Sequence, residues 1–227
     1  MKSGHRNYHQ HYGHAREASG FSLLELIMVV LVTLVLAAFA TPKFINMLHA
    51  HRLNGAVADF AGLIQIQRLR AVDDDRYYSL FVLAPGGSSP QEAFVDVAGT
   101  GGATYTCTSS VCDPLVTIPN EVIRRPLASA PNTANLKQQF LPANSPVVPV
   151  DGITAGTPIT IGPGGLPCTP TTVTGGTVCD SLGGPTAYWT FFQNTTSQSW
   201  GAITVTPAGR IQRWLNSGGA AGIWASY

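Results

Sequence analysis

Between Phe21 and Ala40 the chain reads FSLLELIMVVLVTLVLAAFA, twenty residues interrupted only by Ser22, Glu25 and Thr33. At about 1.5 Å rise per residue, a helix of this length is roughly 30 Å long, the thickness of a bilayer's hydrocarbon core. Such a helix can span a membrane once, and it divides the chain into pieces to be read separately. Residues 1–20 before it are polar: Lys2, Arg6 and Arg16 against Glu17, four histidines (His5, His9, His11, His14) and no apolar run. They can build no core, and the cations ahead of the span favour a cytoplasmic start with the remainder on the other side.

Three readings compete for the apolar stretch. Ala38-Phe39-Ala40 before Thr41 has the small-x-small form of a secretory cleavage site, but the run exceeds the usual 7 to 15 residues and carries a carboxylate. A plain single-span anchor leaves Glu25 without a reason. The third reading starts from the carboxylate, because a charge in a membrane helix costs about 2.5–3.5 kcal/mol at the centre, less near an end, and marks a partner or a function. Ser22 and Glu25 also have the Ser-x-x-Glu spacing of a capping box, and a negative charge suits a helix N-terminus.

The basic leader, Ser19-Gly20-Phe21-Ser22-Leu23-Leu24-Glu25 and the apolar twenty together resemble the processing signal of type IV pilins and type II secretion pseudopilins. The resemblance implies cleavage between Gly20 and Phe21 by a membrane prepilin peptidase, which also methylates the new amine of Phe21. It implies that Glu25 meets the terminal amine of a neighbouring subunit in a filament core, and that other pilins or pseudopilins and the membrane are the partners. It implies no cofactor. The chain would be a single-pass protein of the inner (cytoplasmic) membrane with its folded part on the periplasmic side, later part of a pilus or pseudopilus. Cleavage removes three basic residues and one acidic residue, so the formal charge passes from +1 to −1.

The expected fold class is α+β: a long N-terminal helix, membrane-spanning over 21–41 and amphipathic over 42–76, packed on an antiparallel sheet within 77–227. Pro42 is expected to bend or interrupt the helix. Beyond it Leu53, Val57, Phe60 and Ile64 recur at helical spacing and draw a core-facing stripe, with Arg52, Asp59 and Arg68 on other faces. Asp73-Asp74-Asp75-Arg76 reads as a solvated helix end rather than a calcium loop, since consecutive helical residues diverge. The runs YYSLFVL, AFVDVA, ATYTC, LVTI, ITI, AYWTFF, AITVT and RIQRWL, bounded by turn residues, are strand signals. The last two flank Pro207-Ala208-Gly209, where proline sets φ and glycine accepts positive φ, as a short hairpin requires. Fifteen of the 16 prolines follow Leu83, and 142–185 reads as a long loop with a strand or two. The long helix leading into strands and the closing Thr206-Pro207-Ala208-Gly209-Arg210 turn resemble H-type minor pseudopilins and related minor pilins.

Cys107 and Cys112, and Cys168 and Cys179, suggest two local disulfides among three pairings, which the periplasm would permit. Zinc or free thiols are the alternatives, and neither spacing is the tight pair of a zinc ribbon. His49 and His51 fall on the helical arm. HExxH, GxSxG and phosphate-loop lysine motifs are absent from the sequence, and Gly162-Pro163-Gly164-Gly165 reads as a turn cluster, so an assembly role is expected rather than an enzyme. With 13 basic against 12 acidic side chains there is no general basic surface for nucleic acid. The local alternative is Gly209-Arg210-x-x-Arg213, which is similar to the arginine motif of DNA-binding minor pilins, with one extra residue between the arginines. Arg210 and Arg213 could hold phosphate beside Trp214, although a strand would place them on opposite faces.

Overall fold

The computed structural model describes residues 22–83, 91–97, 115–141, 145, 147, 149–151, 153–154, 157–173, 176–179, 187–216, 218 and 222–227. The expected strand ATYTC lies outside them, as do Gly20, Phe21, Cys107 and Cys112. The fold is α+β and divides into two compact units, Met1–Phe44 and Ile45–Tyr227.

One helix, α1 (Leu23–Asp73), contributes its first part to the former unit and the rest to the latter, with Pro42 inside it. The expected interruption at Pro42 does not occur: the proline removes one backbone donor, but the turns on either side carry the helix on. Thr41 folds its hydroxyl back onto the Ala37 carbonyl at 2.7 Å. The helix ends at the aspartates. Asp75 takes positive φ (51°), and the Arg76 N–H donates to the Ala71 carbonyl at 3.2 Å, a closing bond that satisfies an end carbonyl.

In the Ile45–Tyr227 unit, the strands β1 (Tyr78–Leu83), β2 (Gln91–Val97) and β3 (Leu115–Ile118) form a meander. To its β1 edge is added β7 (Thr157–Ile161), which also pairs with β6 (Ile153–Thr154) and β8 (Pro167–Cys168). The second sheet runs β14-β13-β12-β11-β4, with β4 (Val122–Arg125), β11 (Ala187–Asn194), β12 (Trp200–Val205), β13 (Ile211–Asn216) and β14 (Ala225–Ser226). Here β5 (Pro149–Asp151) pairs in parallel with the start of β11, while β4 pairs antiparallel with its end. An ion pair between Arg124 and Asp151, with the Leu127 N–H on Asp151 Oδ2 at 3.1 Å, ties β4 to β5. A third, two-stranded ladder joins β9 (Pro170–Val173) and β10 (Gly176–Cys179). The antiparallel sheet expected is divided, among the described residues, into three sheets, and the pairing of β5 with β11 is parallel. The segment 142–185, expected to be mostly loop with a strand or two, holds six short strands among its described residues, because its threonines, valines and isoleucines tolerate extended backbone wherever proline is kept to strand starts and edges.

The core has two layers. Leu53, Val57, Phe60 and Ile64 are all buried, as their spacing predicts, against Leu80, Val95 and Ile159 of the first sheet and Tyr188, Phe192 and Ile203 of the second. The rings of Phe60 and Phe192 meet edge to face, 5.1 Å apart, a geometry worth about 0.5–1.5 kcal/mol beyond area burial. Gly201 permits this approach: a Cβ there would lie 2.6 Å from Val57 Cγ2. Alternate residues of β11, among them Trp189 and Phe191, face away from α1. They are covered by Leu136 of a short helix, α2 (Thr133–Phe140), together with Trp214 and Trp224. Burial on both faces explains why AYWTFF reads as one continuous apolar run instead of alternating.

Candidate functional site

Residues 22–48 are exposed without exception, including Leu23 (77%), Phe39 (73%) and Leu48 (40%). Among the described residues, α1 is the one helix long and apolar enough to cross a membrane. Its local cause is plain: from Leu23 to Leu48 the only charged side chains are Glu25 and Lys43, and apolar residues occupy every face instead of a stripe. Apolar exposure runs seven residues past the expected boundary at 41, through Phe44, Ile45 and Met47, and full burial starts only at Leu53.

Glu25 lies in the first turn of α1, where the backbone N–H of Leu26 donates to the Ser22 carbonyl at 3.1 Å. No side-chain bond of Ser22 or Glu25 accompanies it among the described residues, so the capping-box reading of this pair is not realised. Its carboxylate is left with the favourable end of the helix dipole, about 0.3–1 kcal/mol.

The arginines singled out in the sequence belong to the Ile45–Tyr227 unit. The hairpin between β12 and β13 closes as its residues require: Gly209 has φ 76°, its N–H donates to the Thr206 carbonyl at 2.8 Å, and the Thr206 N–H donates to the Arg210 carbonyl at 2.9 Å. The Gly162–Gly165 cluster builds the same kind of turn between β7 and β8, with Gly165 at φ 71°. The two turns meet at Arg68, which donates to the Gly209 carbonyl at 3.2 Å.

Arg210 precedes β13 and is exposed, lining a concavity of about 800 Å³ beside α1 with Arg68, Leu69, Val72 and Ile211. Arg213 lines a second concavity of about 410 Å³ with Ala58, Gly62 and Tyr227, and its guanidinium carbon sits 4.7 Å above the Tyr227 ring. Burial raises the Tyr227 hydroxyl pKa, and Arg213 opposes that shift. The structure thus does not bring Arg210 and Arg213 together. Trp214, expected to be available for base stacking, is 2% exposed, with its indole N–H on Thr204 Oγ1 at 2.8 Å. Its side chain belongs to the second core layer, on the opposite face from Arg213.

Other ionisable groups hold the fold. Arg52, hydrogen-bonded to Glu121, keeps that carboxyl below its ordinary range. Burial pushes the Tyr188 hydroxyl up to about 12. Asp74 accepts the Tyr78 hydroxyl, leaving the aspartate run as a helix terminus. No cluster of three or more metal-ligating side chains occurs among the described residues. Cys168, in β8, is disulfide-bonded, while the side chains of Cys107, Cys112 and Cys179 lie outside the described set. Reasoning from sequence did not single out Leu69 and Val72, which are 70% and 55% exposed. Their signal was a second apolar set on the helix, offset from the buried stripe.

No family model and no curated protein matches the sequence. Among solved structures, the type IV minor pilin FimU of Pseudomonas aeruginosa (strain PAO1) aligns over 72% of this chain and 88% of that chain, at 12% identity and a TM-score of 0.41. At that distance the likeness carries no argument about function.

Proposed function

We propose that this chain is a structural subunit of a type IV pilin-like filament, made as a precursor that is cut between Gly20 and Phe21 and assembled through the exposed half of α1. The observation that carries the reading is a helix apolar on every face over 23–48, bearing one carboxylate in its first turn, directly after Ser19-Gly20-Phe21. A surface of that kind is stable in lipid or against other apolar helices and not in water.

The steps follow from the residues. Gly20, without a Cβ, allows a peptidase close access to the extended backbone. Cutting there creates a cation on Phe21 a few residues from Glu25, and methylation of that amine preserves its charge. In lipid the two charges sit near the interface, where their cost is smallest. Once the helix leaves the bilayer for a bundle of like helices, the Glu25 carboxylate must find a cation, because an unpaired charge in that setting costs several kcal/mol. Subunits with the wrong axial offset leave it unpaired, so Glu25 would set register as well as affinity. The Ile45–Tyr227 unit would stand on the far side of the membrane, where disulfides such as that of Cys168 persist. Among the described residues its ionisable groups tie elements of the fold together, as Arg124 does with Asp151 and Arg52 with Glu121.

The test is made in cells carrying a prepilin peptidase and filament machinery. Gly20→Leu leaves the precursor uncut in the membrane fraction. Glu25→Ala gives a cut chain that stays in the membrane and is missing from sheared filaments. Normal filaments from the Glu25→Ala variant would overturn the role given to this carboxylate.

A further inference from the structure

The concavity at Arg213 is built differently from the one at Arg210. It measures about 410 Å³, within the roughly 300–1,000 Å³ of small-molecule sites, and its surface is mostly polar. Gln65 comes to it from α1, Gln212 and Arg213 from β13, and Tyr227 from the chain just after β14. The floor is the stretch of α1 that carries Ala58 and Gly62. A Cβ at Gly62 would meet nothing within 4 Å, so a flat molecule can lie against the helix there.

The polar groups of this cavity are unspent. Arg52, Arg68, Arg124 and Arg125 each donate to a partner within the fold. Among the described residues, the carboxamides of Gln65 and Gln212, the guanidinium of Arg213 and the hydroxyl of Tyr227 make no hydrogen bond or ion pair. Arg213 is held by the Tyr227 ring, 4.7 Å from its guanidinium carbon, a contact that orients the cation without using its N–H donors. No carboxylate side chain is among the described lining residues.

This set of groups selects a ligand by its chemistry. Arginine holds a carboxylate through two parallel N–H···O bonds. A carboxamide donates and accepts at once, which suits hydroxyl groups, themselves both donors and acceptors. The phenol adds one more group of that kind. A simple inorganic anion would use the cation and leave the carboxamides idle, while a neutral sugar would leave the cation unpaired. We propose that this cavity binds an acidic sugar, a ring of the hexuronate class, with its carboxylate on Arg213 and its hydroxyls on Gln65, Gln212 and the Tyr227 hydroxyl. The site lies within the Ile45–Tyr227 unit and does not rest on the filament reading. It gives the chain a carbohydrate-binding function besides assembly.

The experiment uses the full-length chain at neutral pH in micelles of a detergent without a sugar headgroup. D-galacturonate and D-glucuronate are the probes, with D-galactose, D-glucose, acetate and inorganic phosphate as comparisons, and binding is read by saturation-transfer NMR and titration calorimetry. Expected is saturable binding of at least one uronate, with the matching neutral hexose bound about tenfold more weakly or worse. Arg213→Gln lowers uronate affinity about tenfold, the loss of a charge-assisted hydrogen bond, and brings it level with the neutral hexose. Gly62→Leu puts a side chain into the open space over the helix and abolishes binding. Gln65→Ala, at an exposed helical position with no bond to lose, lowers affinity about fivefold and carries the test if thermal melting shows that Arg213→Gln does not fold. Arg210→Gln, in the other concavity, leaves binding unchanged. Overturning results are an absence of uronate binding, binding that persists undiminished in folded Arg213→Gln, Gly62→Leu or Gln65→Ala protein, or displacement of the uronate by acetate or phosphate at equal concentration, which would reduce the site to a simple anion contact.

Discussion

Gly201 and Tyr188 show how single residues set the tolerance of the core. At Gly201 the β12 backbone approaches α1 so closely that an added methyl would sit 2.6 Å from Val57 Cγ2, and the helix would have to lift off the sheet. Gly201→Ala is expected to destabilise the chain by about 1–3 kcal/mol, the usual cost of overpacking, measured as a lowered urea midpoint for the detergent-solubilised protein. Gly209→Ala should cost about 1–2 kcal/mol for a different reason: φ of 76° places an L-residue in the left-handed region. Tyr188 yields a pH prediction. Its hydroxyl donates to the Cys168 carbonyl from a buried site, and burial raises its pKa from 10.0 to about 12. The folded state therefore favours the neutral phenol. This contribution is fully present below pH 10 and is lost as pH rises from about 10 to 12, where the unfolded chain ionises first. In Tyr188→Phe the alkaline fall in stability over that window should flatten, at a cost of about 1 kcal/mol at neutral pH for the lost hydrogen bond.

At the scale of elements, what the sequence disclosed depended on whether an element's pattern was its own or borrowed from a neighbour. The buried stripe of α1 is periodic in itself, and the hairpin at Pro207-Ala208-Gly209 is dictated by local φ preferences, so both were legible. The two-sided burial of β11 was not, because a continuous apolar run is silent about what covers its second face. The cover comes from α2, whose TANLKQQF has little apolar periodicity and whose cap position, Asn132, takes positive φ with no side-chain cap bond. Its position is fixed by long-range bonds instead: Asn132 Nδ2 to the Gly222 carbonyl at 2.6 Å and Trp224 Nε1 to the Pro131 carbonyl at 2.8 Å. Such pairings, some 90 residues apart in sequence, leave no local mark. Trp224→Ala should accordingly cost about 3–5 kcal/mol and strip protection from hydrogen exchange in α2 before α1, an order that amide exchange read by mass spectrometry resolves. The strands of 142–185 escaped notice similarly, since proline and glycine there punctuate short strands closely enough to read as loop.

For the whole molecule, the decisive contrast lies between the two parts of α1. Over 53–64 its apolar residues are buried within one chain. Over 23–48 they are exposed in a single chain, the surface that the filament account places in lipid or against other subunits. That difference was visible in the sequence as twenty apolar residues without a polar face followed by a one-sided stripe. The groove at Leu69 and Val72 was not visible, because its wall comes from β13, more than a hundred residues further along the chain. Maturation links the parts: the filament account requires the apolar helix to survive processing while the polar twenty residues before it do not. The most direct test is the N-terminus of the chain recovered from membranes, determined by intact mass and N-terminal peptide sequencing. The account predicts a chain beginning at Phe21 and heavier by one methyl group on its amine; a chain beginning at Thr41, with the helix gone, would contradict it.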